Sequence, residues 1–387
     1  MYDLLKGIRV IDFTHVWQGP VATLMLADLG ADVIKIERPG RGDWSRAWGP
    51  FIDGVSLPFA GLNRNKRSVV FDLKSDDGQA SLDALLATAD VVVHNFRPGV
   101  DKKMGIDFET LHKRFPRIIH ASASGWGEKG PDAERGRAGH AQMAAAEGGL
   151  FSEAKPDALP QTPTISVDHL AGMILCNAIL AGLVSRASTG KGVQVFTDLH
   201  SAALTAHVWD GPRAMNPDTD DAGDVNLTLA EKSLPHAWKT ANGYIEISPV
   251  FTDNPVQLIC KGLELPDLTQ RDEFATPVLQ YENRKALRSE ITARLLTKTT
   301  EEWLVALEVQ GILCAEIRTP AEALNASAAA ANGMVVDVPH PVSGDLKLVG
   351  CAVRTNAAPR ASTPPPQAGQ HTGDVLRELA ELNEAKA

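Results

Sequence analysis

The chain has 387 residues, enough for two domains and a large core. Hydrophobic residues make up 44% and charged residues 22%, the mix of an ordinary globular protein and not of a disordered or fibrous one. The net charge is -10, spread along the chain without a run of five or more Lys and Arg, so nucleic acid is excluded as the expected partner.

The opening, MYDLLKGIRVIDF, lacks a basic segment followed by an apolar leader, and no 18-residue apolar run is evident. A cytoplasmic protein with no membrane partner is the expectation. The first 125 residues alternate two patterns. GIRVIDF (7–13), DVIKIE (32–37), SVVFDL (68–73), DVVVHNF (90–96) and RIIHASAS (117–124) are short β-branched strands. Helical spacing lies between them at 20–31, 77–88 and 107–115. The alternation predicts an α/β fold with a parallel sheet covered on both faces.

A long apolar segment follows Asp168, with almost no charge until Arg186. It predicts a buried helix whose N-cap position falls on Asp168. Free backbone N–H groups and the helix dipole hold a carboxylate ionised there, as a carboxylate nucleophile requires. Val193–Phe196 predicts a further strand. From about 225 the pattern changes to a hairpin with an Asn242-Gly243 turn, then helices at 254–264, 283–297 and 300–310. Strands return at 313–317, 334–341 and 345–350, and an amphipathic helix at 372–384 closes the chain. The predicted domains are 1–210, the amino-terminal part of a large domain; 225–320, a small one; and 321–387, returning to the large one.

Ligands of an open parallel sheet sit at the carboxyl ends of its strands. His15, Val16, Trp17 and Gln18 follow the first strand, Arg38 the second, and Asn95, Phe96 and Arg97 a later one. No GxGxxG follows any strand, which disfavours a nicotinamide dinucleotide. Arg38, Lys66, Arg67, Lys74, Arg97, Lys102 and Lys103 lie near strand ends, a set suited to a ligand with several phosphates. Phe96 and Met104 are candidates for an apolar slot that takes an adenine. Cys176, Cys260, Cys314 and Cys351 are far apart, with no CxxC and no His at metal spacing, so neither disulfides nor a metal site is expected.

The segments LLKGIRVIDFTHVWQGPVATLMLADLGADVIKIERPGRGD, LNRNKRSVVFDL, ADVVVHNFRPGVDKKMGID, ASASGWGEKGP, VDHLAGM, STGKGVQVFTDL, GMVVDVPHPVSGDL and QHTGDVLREL run from residue 4 to about 379. In them the chain resembles the family III CoA-transferases of the CaiB/BaiF superfamily, which also contains α-methylacyl-CoA racemases. The resemblance implies a large Rossmann-like domain, a smaller α+β domain and an interlocked homodimer. It implies Asp168 as nucleophile, and CoA contacts at Val16, Arg38, Asn95, Phe96, Arg97, Lys103 and Met104. Gln18 matches a position beside the reacting acyl group, and Trp48 and His140 belong to the substrate pocket.

The implied reaction moves CoA from an acyl-CoA to a carboxylic acid, through an aspartyl anhydride and then an aspartyl-CoA thioester. Backbone donors for the oxyanions are expected at Gly125–Gly127 or at the Gly139–His140 turn. Some members, such as formyl-CoA transferases, carry a glycine run over the site. The corresponding stretch here, EKSLPHAWKT (231–240), has none, which points away from a formyl-CoA/oxalate pairing. The alternative is a racemase using His140 and Asp168, 28 residues apart, as two acid/bases. Against it, Ala141 and Phe251 stand where racemases carry acids. A non-catalytic CoA-binding protein is a third reading, disfavoured by the intact Asp168 segment.

Overall fold

The computed structural model describes residues 1–151, 161, 166–209, 211–216, 229, 232–249 and 252–385. The chain divides into two compact units, Met1–Pro212 with Asn332–Ala387, and Arg213–Ala331.

In the first unit, strand β1 (Arg9–Asp12) leads to helix α1 (Gln18–Asp28) and strand β2 (Asp32–Glu37). A small hairpin, β3 (Phe51–Ile52) and β4 (Val55–Ser56), precedes helix α2 (Leu57–Asn63), strand β5 (Lys66–Val70) and helix α3 (Asp76–Leu86). Strand β6 (Val91–His94), helices α4 (Val100–Lys103) and α5 (Phe108–Arg114), and strand β7 (Ile119–Ser124) follow. After helices α6 (Pro131–Glu134) and α7 (Ala141–Glu147) come the long α8 (Val167–Thr189), strand β8 (Gln194–Asp198) and α9 (Leu199–Thr205).

Six strands form one parallel sheet in the order β5-β2-β1-β6-β7-β8. The side-chain alternation of a strand sends its apolar residues to both faces. Val10, Val33, Val91 and Val93 pack with Ala22 and Leu26 of α1 and with Leu175 and Ile179 of α8. Ile11, Ile34, Val69 and Val92 pack on the other face with Leu82, Leu85 and Leu86 of α3 and with Leu111. Val375 and Leu379 of the carboxy-terminal helix Thr372–Glu384 join that second layer. His371 brings this helix to the edge of the sheet, donating its N–H to the Ser68 carbonyl at 2.9 Å.

Two readings change. Helix α8 begins at Val167 and its cap is Ser166, whose Oγ accepts from His169 N–H at 3.4 Å. Asp168 is therefore inside the first turn and not at the cap, because the Ser hydroxyl two residues earlier takes that role. Helix α8 also has the length and composition to cross a membrane, with mean hydropathy 1.7 over its most apolar window. In this structure it packs against α1, β7, β8 and α9. Helices α7 and α9 and the β3–β4 hairpin were not expected from the pattern.

In the second unit, strands Ala237–Lys239, Tyr244–Ser248 and Leu313–Glu316 form an antiparallel sheet with the second of these in the centre. The expected hairpin is present, but its connection runs over 240–243. Thr240 N–H donates to the Gly243 carbonyl at 3.0 Å, and neither Asn242 nor Gly243 has a positive φ. Trp238, Ile245 and Ile247 meet Ile259, Leu287, Ile291, Trp303 and Leu307 from the helices. The short helices Pro320–Asn325 and Ser327–Ala331 belong to this unit, so the return to the first unit falls at Asn332. The hairpin Val335–His340 with Gly344–Val349 lies beyond that point.

Candidate active site

From β1 the chain winds one way across the sheet to β2 and β5. It then crosses back to β6 and continues to β7 and β8. The loops after β1 and β6 therefore diverge at a topological switch point, where an open sheet leaves a crevice. A cavity of about 1480 Å3 lies there, lined within the first unit by residues that follow β1, β2, β6 and β7 and by the start of α8. It is larger than the usual pocket for a drug-sized molecule and suits an extended ligand.

The two diverging loops are tied together. The Asn95 side chain accepts from His15 N–H at 2.9 Å and donates to the His15 carbonyl at 2.8 Å. Val16, next in the chain, takes the left-handed region with φ 75°, a conformation costly for a β-branched residue. Its N–H donates to Asp43 at 3.2 Å. Asp43 also accepts from Ser45 N–H and pairs with Lys35 at 2.8 Å, both side chains being fully buried. Lys35 in turn donates to the Thr14 carbonyl at 2.6 Å. Burial alone raises the Asp43 carboxyl, and the Lys35 charge overrides it, holding it well below the ordinary range. This ion pair joins the loop after β1 to the loop after β2, which carries Arg38, Trp44 and Trp48. Burial, followed by the charge of Lys35, pushes His15 down to about 4, so this cavity-lining imidazole is neutral at pH 7.

Asp168 reaches the cavity because α8 packs closely on α1. A Cβ at Gly172 would meet the Gln18 carbonyl oxygen at 2.6 Å and Val21 Cβ at 2.6 Å, so the approach requires a glycine one turn after Asp168. Gln18 donates from Nε2 to the Ser124 carbonyl at 3.2 Å and lines the cavity beside Asp168. Gly125 and Gly139 pack backbone to backbone; a Cβ on either would fall 2.4 Å from the other's Cα. The two candidate sources of oxyanion donors thus lie side by side on the cavity wall. Trp126 Nε1–H donates to the Ala138 carbonyl at 3.1 Å, and the Arg137 guanidinium stacks on its ring, fixing the turn that presents His140. His140 caps α7, its Nδ1 accepting from Gln142 N–H at 3.3 Å. In a neutral ring this leaves the proton on Nε2.

Burial raises the Asp168 carboxyl above its ordinary range, with His140 opposing. This corrects the sequence expectation. Desolvation in the cavity outweighs the helix terminus, and no backbone N–H cap is spent on Asp168.

Of the expected site residues, the cavity brings together Val16, Gln18, Arg38, Trp48, Asn95, Phe96, Arg97, Met104, His140 and Asp168. Trp17, Trp44 and Lys74 also line it. Lys103 does not. Met104 turns inward against the sheet layer, and the helical step of about 100° leaves Lys103 exposed. Lys102 is exposed on the same short helix and outside the lining. Lys66 and Arg67 are engaged elsewhere. Lys66 is fully buried on Asp12, Thr23 and Asn63, and Arg67 pairs with Asp32 and Glu378. The Phe251 position and part of 231–240 lie outside the described residues. Sequence reasoning missed Asp43 and Lys35. Their only signal was polar residues in and beside a strand that is otherwise apolar.

Fold and site together define an α/β protein with a carboxylate at the end of a long ligand cleft edged by arginines. The model of CoA-transferase family III matches residues 5–372, and the chain belongs to that family. It is 35% identical over 386 residues to a mouse succinyl-CoA:glutarate CoA-transferase, covering 98% of this chain and 87% of the relative. It is 32% identical over 411 residues to a formyl-CoA:oxalate CoA-transferase of Rhodopseudomonas palustris, covering 98% and 94%. A CaiB/BaiF family protein from Brucella suis superposes with a TM-score of 0.82 at 28% identity, covering 96% and 98%.

Proposed function

We propose that this CoA-transferase moves CoA from an acyl-CoA thioester to a small carboxylic acid with Asp168 as nucleophile. The observation that carries the reading is a desolvated carboxylate in a cavity long enough for a CoA thioester. An Asp168 oxygen attacks the thioester carbonyl, and collapse of the tetrahedral oxyanion expels CoA thiolate and leaves an aspartyl anhydride. The thiolate attacks the aspartyl carbonyl, releasing the first acid and giving aspartyl-CoA thioester. The second acid attacks this thioester, forming a new anhydride with release of thiolate. The thiolate then takes the acyl group and restores Asp168. Backbone N–H groups around Gly125 and Gly139, which both line the cavity, are the candidates to meet the oxyanions, a contribution of roughly 3 kcal/mol each. This route asks nothing of a metal. Two relatives are named for succinyl-CoA and glutarate or formyl-CoA and oxalate, which supports a short dicarboxylate as acceptor. Mass spectrometry after incubation with a panel of acyl-CoAs tests it. A covalent adduct on Asp168 is expected, and its absence with every productive donor would refute the covalent route.

Exposed apolar side chains lie on α8 (Val184), on the edge strand β8 (Phe196), on α9 (Leu204) and just after it (Val208 and Trp209). Such exposed side chains support the homodimer implied by the family resemblance.

Arg38 and Arg97 line the cavity, exposed. Replacing either by Ala is expected to weaken CoA binding by about 1–3 kcal/mol, the scale of a charge-assisted contact. Calorimetry with CoA measures this, and unchanged affinity in both variants would move the phosphates elsewhere.

The racemase alternative is favoured by one observation, that His140 and Asp168 share the cavity closely enough for His140 to act on the Asp168 charge. Ala141, where racemases carry an acid, counts against it. In heavy water the enzyme is expected not to exchange the α-proton of a 2-methylacyl-CoA. Rapid wash-in of deuterium that His140→Ala abolishes would reverse the order of the two readings.

A further inference from the structure

Beside Phe96, which lines the cavity, three donor groups converge outside the site described above. His120 pairs in register with Val92, so His94 and His120 are diagonal neighbours on one face of β6 and β7. Both rings are buried, and their Nε2 atoms face each other at 3.3 Å. Asp101 on α4 brings Oδ2 to 3.8 Å from His94 Nε2. All three donor atoms lie within 4.8 Å of one another.

The 3.3 Å between the two nitrogens is within hydrogen-bond reach and also matches two ligands of one metal ion. Two nitrogens at zinc–imidazole distance, in tetrahedral arrangement, stand about 3.3 Å apart. Two neutral imidazoles with one carboxylate form a donor set that suits zinc-like ions and not calcium or magnesium. The Asp101 side chain is 21% exposed, which leaves a path for the ion and a place for a water as fourth ligand. The 26-residue separation of the two histidines matches no local metal motif, and only strand pairing brings them together.

We propose that His94 and His120 through Nε2, with Asp101 through Oδ2, bind one divalent transition-metal ion of the zinc type. The ion ties α4 to the sheet. The His94 ring stacks on Phe96 at 5.3 Å between centroids, and Asp101 lies one turn after Arg97. The site is thus a clamp on the turn that bears Phe96 and Arg97, distinct from the transfer chemistry and independent of the mechanism proposed above.

The test uses the full chain, stripped with a chelator and dialysed free of it. It is titrated with Co2+ followed by visible absorption and with Zn2+ followed by calorimetry. One equivalent of Co2+ with the intense visible bands of a four-coordinate site is expected, and Zn2+ is expected to raise Tm. His94→Gln is expected to abolish uptake. Asp101→Asn, on a surface helix where folding is not at stake, is expected to weaken it about tenfold or more by removing the one charged ligand. Failure of the wild-type chain to take up a stoichiometric ion overturns the proposal, as does wild-type affinity in Asp101→Asn.

Discussion

Asp168→Ala is expected to lower transfer by roughly four orders of magnitude or more, the scale seen when a covalent nucleophile is removed. The residue lines the cavity together with Gln18, Gly125, Gly139 and His140; of the other carboxylates on the described lining, Glu37 is buried against Arg46 and Asp72 lies in the loop after β5. Near-normal turnover in that variant would remove Asp168 from the mechanism. The pH profile gives a second reading. Only the anion attacks, and burial places the ionisation above the ordinary Asp range. Activity is therefore expected to rise with pH on an acid limb displaced upward from that range.

Stability runs the other way. Between the unfolded and the raised folded pKa the native state binds more protons, so this group's contribution falls as pH increases through that window. Asp168→Asn should be more stable than the wild type at neutral pH, with the difference closing in acid. Equal melting temperatures at both pH values would show that Asp168 is not desolvated.

Asp43→Asn is expected to cost about 3–5 kcal/mol of stability, because it leaves the fully buried Lys35 ammonium without its counter-charge. The pair's contribution is complete above the ordinary Asp range and is lost as pH falls below it, the sign that follows from a depressed folded pKa. The same substitution should raise KM for acyl-CoA, since without the Lys35 pair residue 43 is no longer fixed beneath Val16 N–H and the turn that leads to Trp44. A double variant, Lys35→Met with Asp43→Leu, separates the two effects. It should recover much of the stability, as apolar replacement of buried pairs often does, while KM stays high because the Val16 and Ser45 donors have lost their acceptor. Recovery of KM along with stability would reduce the pair to a fold element.

The sequence by itself determined the sheet and its longer helices. The β-branched runs of β1, β2, β6 and β7 have no other stable arrangement than a covered parallel sheet, and the apolar run after Asp168 has the length only of a long helix. It also named the carboxylate and many of the polar and aromatic residues on the cavity lining, because ligand groups of such a sheet follow the carboxyl ends of its strands.

Tertiary structure alone decided the rest. Whether a loop cation is free or spent depends on partners distant in sequence. Arg67 meets Glu378 across 311 residues, and Lys66 meets Asp12 across 54. The proton affinity of Asp168 follows from how closely Gly172 lets α8 approach Gln18, which no periodicity encodes. The His94–His120 contact likewise exists only once β6 and β7 stand side by side, and the Lys35–Asp43 pair only once the loop after β2 folds back on its own strand. Hydrophobic spacing is a local property and survives in the sequence, whereas desolvation and charge pairing are set by neighbours that folding supplies.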